Sequence, residues 1–472
     1  TKPKTKFGIF TRKKFSAMSE SNFAVVINND PDQARPNHRK SSSGTMPEMA
    51  HVSVIKARRY MKSQSMESND GRMVKRDSVV SDHYGAITEK DNVEREVVKQ
   101  KSWLSLYWDL ISSKYINIML LFAPFAYLSV VFDWGDTSVF VLNFLAMLPL
   151  AALLGDLTEA VADDLGQTAG GLISASFGNA PELVFAIQAL RANQIRVVQA
   201  SLLGSILSNL LLVLGSSFFA GGLFSGKKEQ QYNRTSAIAN TSLLMMSTLA
   251  LFLPGQIANY YEAYNLDVLM ISRFTAIGML LMYLQLMIFQ FKTHKDVFTE
   301  EENEDEQEEE VNMELAPALV GLGIVTALVA IFSDYLVNSI NGFSEATDLS
   351  TTFVGIILIP IIGNVVEHIV AVTVAVKDKM ELSMGIAVGS ACQVSLFVIP
   401  TAVLAGWVMD RDLTLNFPQF EVYVYLVSIL LVSHLVGNGN SNWLLGSLLI
   451  TCYFLLAFAF WFEQVTTYST SP

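Results

Sequence analysis

Two acidic residues in the apolar part of the sequence have the surroundings of an ion site. Glu182 and Glu367 each close a five-residue Gly-Asn-x-x-Glu motif inside a long apolar run. Burying unpaired carboxylates is costly, and an ionisable residue at membrane depth is by default a functional-site hypothesis. We therefore interpret both as cation ligands. In the first motif Gly178 and Pro181 predict a broken or kinked helix, whose freed carbonyls would be further oxygen ligands.

The two motifs belong to an internal repeat. A shift of 185 residues lays the Glu367 motif on the Glu182 motif and also lays Gly389-Ser390 on Gly204-Ser205. The same shift aligns Gln393 with a serine, so the second copy gains an amide oxygen. Two half-sites, each with Asn, Glu and a small hydroxyl residue, could enclose one cation.

Such a site predicts exchange of a metal for protons. Oxygen donors that include two carboxylates suit Ca²⁺ or Mn²⁺ rather than a soft metal. Burial and mutual repulsion favour protonated carboxyls in the empty site, whereas a divalent cation needs them ionised. Protons and metal then compete for the same oxygens, which is the minimal mechanism of an antiporter.

Three further titratable residues are candidates for carrying protons. His368 adjoins Glu367, and its role as a proton carrier or as a structural hydrogen-bonding group stays open. Glu159 and Asp334 are interpreted as a second acidic pair near the ends of equivalent spans, forming a proton relay or gate; helix capping is the alternative.

The composition is that of an integral membrane protein. The chain has 472 residues, of which 51% are hydrophobic and only 16% charged. Both cysteines lie in apolar runs, so neither a disulfide framework nor a zinc site is implied. Eleven runs approach the length of about 20 residues that crosses a bilayer, and they predict an all-α protein with spans near 116–133, 138–161, 168–190, 195–222, 235–254, 268–291, 315–340, 351–376, 382–408, 419–437 and 442–462. A break at Pro400 is an alternative within the ninth span.

The spans predict a leading helix followed by two inverted five-helix repeats. Glu182 falls on the third span and Glu367 on the eighth, and five crossings is an odd number, so equivalent helices run in opposite directions. Basic residues near span ends favour a cytosolic N-terminus and a luminal C-terminus. The cytosolic side then receives Lys99, Lys101, Lys114, Lys227, Lys228, Arg234, Lys292, Lys295, Lys377 and Lys379, and the luminal side Arg191, Arg196 and Arg411.

The predicted domains are a tail (1–100), the leading helix and first repeat (101–295), an acidic linker (296–314) and the second repeat (315–472). The tail lacks sustained apolar periodicity and predicts disorder; its serines beside basic residues leave both a regulatory role with a kinase and a plain solvated tail open. The linker predicts a regulatory or solvated segment at the cytosolic mouth. Its carboxylates are Glu300, Glu301, Glu302, Glu304, Asp305, Glu306, Glu308, Glu309 and Glu310.

The paired motifs resemble the signature regions of the cation/proton exchanger (CAX) family within the Ca²⁺/cation antiporter superfamily. The resemblance covers about residues 100–465 and rests on four segments: Gly178-Asn179-Ala180-Pro181-Glu182, Gly204-Ser205-Ile206-Leu207-Ser208-Asn209, Gly363-Asn364-Val365-Val366-Glu367-His368 and Gly389-Ser390-Ala391-Cys392-Gln393. It implies an eleven-helix protein that loads Ca²⁺ into an acidic organelle, chiefly the vacuole, by proton exchange. Asp334 stands where the family would be expected to have Glu.

The resemblance also implies which residues form the site. Glu182 and Glu367 would be the principal cation and proton sites, and the shell would be completed by Asn179, Asn364, Ser205, Ser390 and Gln393. No cofactor and no nucleic acid is expected. The expected partners are membrane lipid and the transported ions, and a regulatory kinase or an intramolecular contact through the N-terminal tail stays open. A Na⁺-driven exchanger and a cation channel remain the alternatives. A membrane enzyme is disfavoured because no nucleophile or phosphate-binding loop accompanies the carboxylates.

Overall fold

The structure, a computed structural model, describes residues 102–165, 167–260, 265–294 and 313–462. The predicted tail of residues 1–100 and all nine linker carboxylates lie outside these residues. The described chain is almost entirely helical, with helices α1 Trp103–Ser113, α2 Phe122–Val131, α3 Asp136–Leu165, α4 Gln167–Phe177, α5 Ala180–Arg191, α6 Ile195–Phe224, α7 Arg234–Tyr260, α8 Asn265–Ile288, α9 Leu315–Thr347, α10 Thr351–Val376, α11 Met380–Val408, α12 Gln419–Val436 and α13 Trp443–Trp461. Strands β1 Gln230–Gln231 and β2 Asn440–Ser441 pair antiparallel.

The helices fit a multi-pass membrane protein. Within the described residues nine helices are long and apolar enough to cross a membrane: α3 and α6 to α13. A tenth span is possible if α1 is joined with the 3-10 turn Tyr115–Leu121 and α2, a pair bent by 107°. The predicted third span consists of α4 and α5, which have only 11 and 12 residues. The predicted number of eleven spans therefore stays a prediction.

The predicted break in the third span is confirmed. The Gly178 amide closes α4 by donating to the Ser174 carbonyl at 2.8 Å, and α5 begins two residues later. Pro181 lies in the first turn of α5, where its missing N–H leaves no helical bond unmade. In the second copy valines occupy the positions of Ala180 and Pro181, and α10 runs through its Gly-Asn motif without a break.

The Gly-Ser motifs lead into π-helical turns in both repeats. α6 contains one at Ser208–Val213 and α11 contains one at Val394–Val398, positions that correspond under the 185-residue offset. Pro400 directly follows the turn in α11, at the start of the next regular helical segment. Because Pro400 lies in the first turn of the segment that follows the π-helical turn, α11 continues through it without a break.

The order and direction of the helices fit two inverted repeats. The 185-residue offset places α3 on α9, α4 and α5 on α10, α6 on α11, α7 on α12 and α8 on α13. α3 and α9 pack antiparallel, since the ring centroids of Phe140 and Phe343 are 4.0 Å apart and the Ser333 hydroxyl approaches the Met147 sulfur at 3.8 Å. Equivalent helices that run in opposite directions are what inverted repeats require.

An ion pair joins the repeats at the predicted luminal face. Glu421, fully buried at the start of α12, accepts from both terminal nitrogens of Arg196 in α6, at 2.5 and 3.4 Å. The same guanidinium donates to Gln199, whose amide nitrogen donates to the Thr414 carbonyl at 2.9 Å. The first turn of α6 is thereby fixed to the loop and helix of the other repeat.

A different set of contacts joins the repeats at the predicted cytosolic face. Gln230 of β1 is buried and donates to the Ala375 carbonyl at 2.9 Å and to Asp378 at 3.0 Å. Lys227 forms an ion pair with Asp378, and its ammonium, together with Gln230, holds the pKa of that carboxyl below its usual value. The β1–β2 pairing attaches the same loop to the α12–α13 turn.

Gly204 allows α6 to approach α10 closely at a further π-helical turn, Val354–Leu358 of α10. A Cβ atom on Gly204 would lie 2.2 Å from the backbone carbonyl oxygen of Ile356, whereas a Cβ on the equivalent Gly389 would meet nothing within 4 Å. The two repeats therefore differ in packing at corresponding positions.

We expect Gly204→Ala to destabilise the protein and Gly389→Ala to leave it unchanged or slightly more stable. The first methyl group collides with backbone that moves only if α10 shifts, which costs about 1–3 kcal/mol of unfolding free energy, while the second enters open space in a helix. Thermal unfolding of the purified variants measures the difference. Equal midpoints for the two variants would contradict this packing.

Candidate functional site

The structure brings the two predicted half-sites together through matched hydrogen bonds. Ser390 of α11 donates to the side-chain oxygen of Asn179 at 3.0 Å, and Ser205 of α6 donates to the side-chain oxygen of Asn364, also at 3.0 Å. The 185-residue offset converts one bond into the other. All four side chains are buried, so each Gly-Asn motif is held by the Gly-Ser motif of the opposite repeat.

The remaining bonds of the cluster differ between the half-sites. Asn364 donates to the Ser205 backbone carbonyl at 3.1 Å, whereas Asn179 donates to the side-chain oxygen of Gln393 at 2.6 Å. Asn209, which is fully buried, donates to Ser390 at 2.9 Å. On one side of the cluster, hydrogen bonds thus connect four polar side chains in the order Asn209, Ser390, Asn179 and Gln393. On the other side Ser205 and Asn364 bond to each other.

Asn209 is a site residue that the sequence analysis left out of its predicted ligands. It lies four residues after Ser205 on α6, so helical spacing puts both side chains on the same face and could have identified it. The offset places Val394 at the corresponding position of the second repeat. Only one half-site therefore has this amide.

Both predicted glutamates lie beside this cluster. Glu182 is in the first turn of α5, and its carboxylate is near enough to Glu367 for the two charges to repel each other. Ser390 and Asn209 lie within hydrogen-bonding reach of Glu367. Among the described residues, one oxygen of each glutamate, Oε2, is buried without a hydrogen-bond partner, as is the side-chain oxygen of Asn209. Buried acceptors left in this way are places where a proton or a cation fits.

A cavity opens onto Glu182. Its wall combines Glu182 and Phe185 of α5 with side chains of α3, α6 and α10, among them Met147, Ser201, Ser205 and Pro360. Gly363 is also part of this wall, and a Cβ atom there would lie 2.0 Å from Glu182 Oε1. The glycine of the second motif therefore leaves the space that the glutamate of the first motif occupies.

The donor set of the cluster is oxygen from two carboxylates and neutral groups. Across the described residues no group of three or more His, Cys, Asp or Glu side chains is arranged to hold a metal ion. A cation held here would take the two carboxylates and complete its shell from amide, hydroxyl, backbone or water oxygens, a set that suits a hard divalent ion.

Glu159 and Asp334 are not brought together. The antiparallel packing places Asp334 at the level of Met147, next to the cavity, whereas Glu159 lies twelve residues further along α3, roughly 18 Å away. The offset pairs Glu159 with Ser344. The interpretation of Glu159 and Asp334 as an equivalent acidic pair is therefore corrected. It compared the ends of the two spans, whereas the register of the repeat places the two residues at different levels. Asp334 accepts a long hydrogen bond, 3.4 Å, from Asn338.

His368 lies beside the site without joining its hydrogen-bonded cluster. It follows Glu367 on α10 and is partly buried. Consecutive helical residues do not face one another, so its ring is directed away from the carboxylate of Glu367.

The multi-pass helical fold is that of a membrane transporter, and comparison with known proteins identifies its family. The chain belongs to the sodium/calcium exchanger protein family, whose model matches residues 136–292 and 317–462. Within it the chain groups with the cation/proton exchangers. It is 40% identical to vacuolar cation/proton exchanger 2 of Oryza sativa over 73% of this chain and 81% of that protein.

Further relatives agree with this grouping. The vacuolar calcium ion transporter of Schizosaccharomyces pombe is 38% identical over 75% of this chain and 86% of its own length. A solved structure of native YfkE is 30% identical with a TM-score of 0.63 and covers 74% of this chain and 100% of its own. The H⁺/Ca²⁺ exchanger CAX shares the fold, at 14% identity and a TM-score of 0.61 over 77% of this chain and 90% of its own. The family is one of transporters and not of enzymes.

We expect Gly363→Ala to lower Ca²⁺ affinity at least about tenfold with only a modest loss of stability. The added methyl group overlaps the Glu182 carboxylate, and a flexible side chain gives way more readily than backbone. Equilibrium binding of ⁴⁵Ca²⁺ to the purified variant measures the effect. Gly385→Ala on α11, where a Cβ meets nothing within 4 Å, is the matched control. Unchanged affinity in the Gly363 variant would contradict this geometry.

Proposed function

We propose that this protein is a secondary active antiporter that moves cytosolic Ca²⁺ into an acidic organelle in exchange for luminal H⁺. The observation that carries the proposal is the pair of partly buried glutamates from opposite repeats, each with one buried oxygen that has no hydrogen-bond partner among the described residues. The names of the relatives support the same ions, as the S. pombe relative is a vacuolar calcium ion transporter and a relative in Aphanothece halophytica is a Ca²⁺/H⁺ antiporter. Mn²⁺, with the same preference for oxygen ligands, is a second candidate cargo.

In the proposed mechanism Glu182 and Glu367 bind either the cation or protons. A divalent cation requires both carboxylates ionised and offsets their repulsion, whereas in its absence each buried carboxylate is neutralised by a proton. Asn179, Asn364, Ser205 and Ser390 hold the two motifs in register, and Gln393 orients Asn179. Loading from one face and release at the other by alternating access would couple the two fluxes.

The other titratable residues have unequal places in this proposal. Asp334 lies at the level of the cavity and is the better placed of the predicted outer acids to pass protons toward it. Glu159 lies far from that level. His368, on the same helix as Glu367, would act by exchange with water and not as a ligand.

The energetics favour at least two protons for each Ca²⁺. A lumen two pH units below the cytosol offers about 2.7 kcal/mol per proton, since one pH unit is worth about 1.36 kcal/mol. A ten-thousand-fold Ca²⁺ gradient opposes this with about 5.5 kcal/mol. One proton is insufficient, and two would be electrically neutral and match the two glutamates.

The driving ion is tested by transport in sealed vesicles. We expect the reconstituted protein to accumulate ⁴⁵Ca²⁺ under an imposed pH gradient and to show no comparable accumulation under an imposed Na⁺ gradient or without a gradient. Accumulation driven by Na⁺ would favour a Na⁺-driven exchanger. Flux that only follows the Ca²⁺ gradient and is unaffected by protons would favour a channel.

The glutamates are tested separately. We expect Glu182→Gln and Glu367→Gln each to abolish proton-driven uptake, because a neutral amide can neither carry the proton nor balance the cation charge. Glu345→Gln, which removes an exposed carboxylate near the end of α9, is the matched control and should retain normal uptake. Near-normal uptake by either central variant would remove the proposed mechanism.

A further inference from the structure

Arg273 is a positive charge inside α8 that the proposed transport site does not use. It lies eight residues after the first residue of the helix, about 12 Å along its axis. No ion pair or hydrogen bond joins Arg273 to another residue in the part of the chain that the structure describes, and its Nε is buried without a partner. An ionisable residue within a membrane span needs a counter-charge or polar partner.

The guanidinium is oriented by an aromatic ring. Its central carbon lies 4.9 Å from the ring centroid of Trp407, near the end of α11. Stacking uses the face of the guanidinium and leaves its edge, with the donor fork, available for a planar or tetrahedral oxyanion. Trp407 is 51% exposed, as expected of a tryptophan at a membrane–water interface.

The surface around this pair faces the lipid. Met270 and Phe274 on α8 and Val408 beside Trp407 are large apolar side chains exposed by 50%, 68% and 88%. The Leu415 backbone N–H donates to Ser272 at 2.9 Å, so the α11–α12 loop lies next to the arginine on the predicted luminal face. An oxyanion that reaches Arg273 from this surface would come from the headgroup layer of the bilayer.

We propose that Arg273 and Trp407 form a binding site for the phosphate of an anionic phospholipid in the leaflet at the predicted luminal face. The phosphate would accept hydrogen bonds from the guanidinium edge and neutralise the arginine, while the acyl chains lie against the exposed apolar residues of α8. The site connects α8 of the first repeat to α11 of the second, and α11 also carries Ser390 and Gln393.

The test compares lipid binding by two arginine variants. The full-length protein is delipidated, placed in non-ionic detergent micelles and titrated with phosphatidic acid, and bound lipid is counted by native mass spectrometry. Arg273→Gln should weaken phosphatidic acid binding at least about tenfold, because the whole donor fork is lost. Arg411→Gln is the matched control, as it removes one charge from the same face but its guanidinium already donates to the Arg191 carbonyl at 3.1 Å; it should change binding less than about twofold.

A Trp407 variant and competition by inorganic phosphate complete the test. Trp407→Leu retains the charge but removes the stacking, and it should weaken binding about threefold even if the Arg273 variant does not fold. Inorganic phosphate in the millimolar range should not displace the lipid. Equal binding by wild type and the Arg273 and Trp407 variants, an equal loss in both arginine variants, or displacement by inorganic phosphate would each overturn the proposal. Proton-driven ⁴⁵Ca²⁺ uptake in neutral vesicles confirms that the variants are folded.

Discussion

Two like charges placed near each other, each with one buried carboxylate oxygen, are the constraint on which the proposed site depends. Leaving a carboxylate unpaired in such surroundings is costly, and bringing a second one near adds repulsion. The hydrogen-bonded cluster gives both asparagine amides of the two motifs a protein partner, yet within the described residues one oxygen of Glu182 and one of Glu367 have none. In the proposed function protons or a cation would occupy these oxygens. The glycine at 363 leaves the space in which the first carboxylate lies.

The repeats fix the main geometry of the site but do not make its halves identical. The two Ser–Asn bonds have the same length and exchange under the offset, so they follow from the repeat alone. Gln393 and Asn209 both bond to the Asn179–Ser390 pair, and a serine and a valine occupy their counterparts. A cation between the halves would thus meet a more extended polar network on one side than on the other.

Much of this arrangement could be predicted from the sequence because its causes are local. Gly178 is conformationally permissive and Pro181 lacks a backbone N–H, so together they break a helix. The repeated motifs can be recognised by their constant spacing of 185 residues. The level of Asp334 relative to α3 could not be predicted, because it depends on the register in which α9 packs against α3. Asn209 could have been identified from its four-residue spacing after Ser205, but its contact with Ser390 on another helix could not. In α10 the Gly-Asn motif without proline does not break the helix.

The unequal packing of Gly204 and Gly389 bears on how two inverted repeats can exchange conformations. Gly204 contacts the backbone at Ile356, and the offset makes Gly171 on α4 the corresponding neighbour for Gly389. In this structure a Cβ on Gly171 would instead lie 2.5 Å from the Phe291 ring, and the side of Gly389 is open. In the proposed alternating-access cycle, a conformation in which the repeats exchange their packing would bring α11 against α4 through two facing glycines and separate α6 from α10. The distance between Gly171 and Gly389 would distinguish that proposed state from the state in this structure.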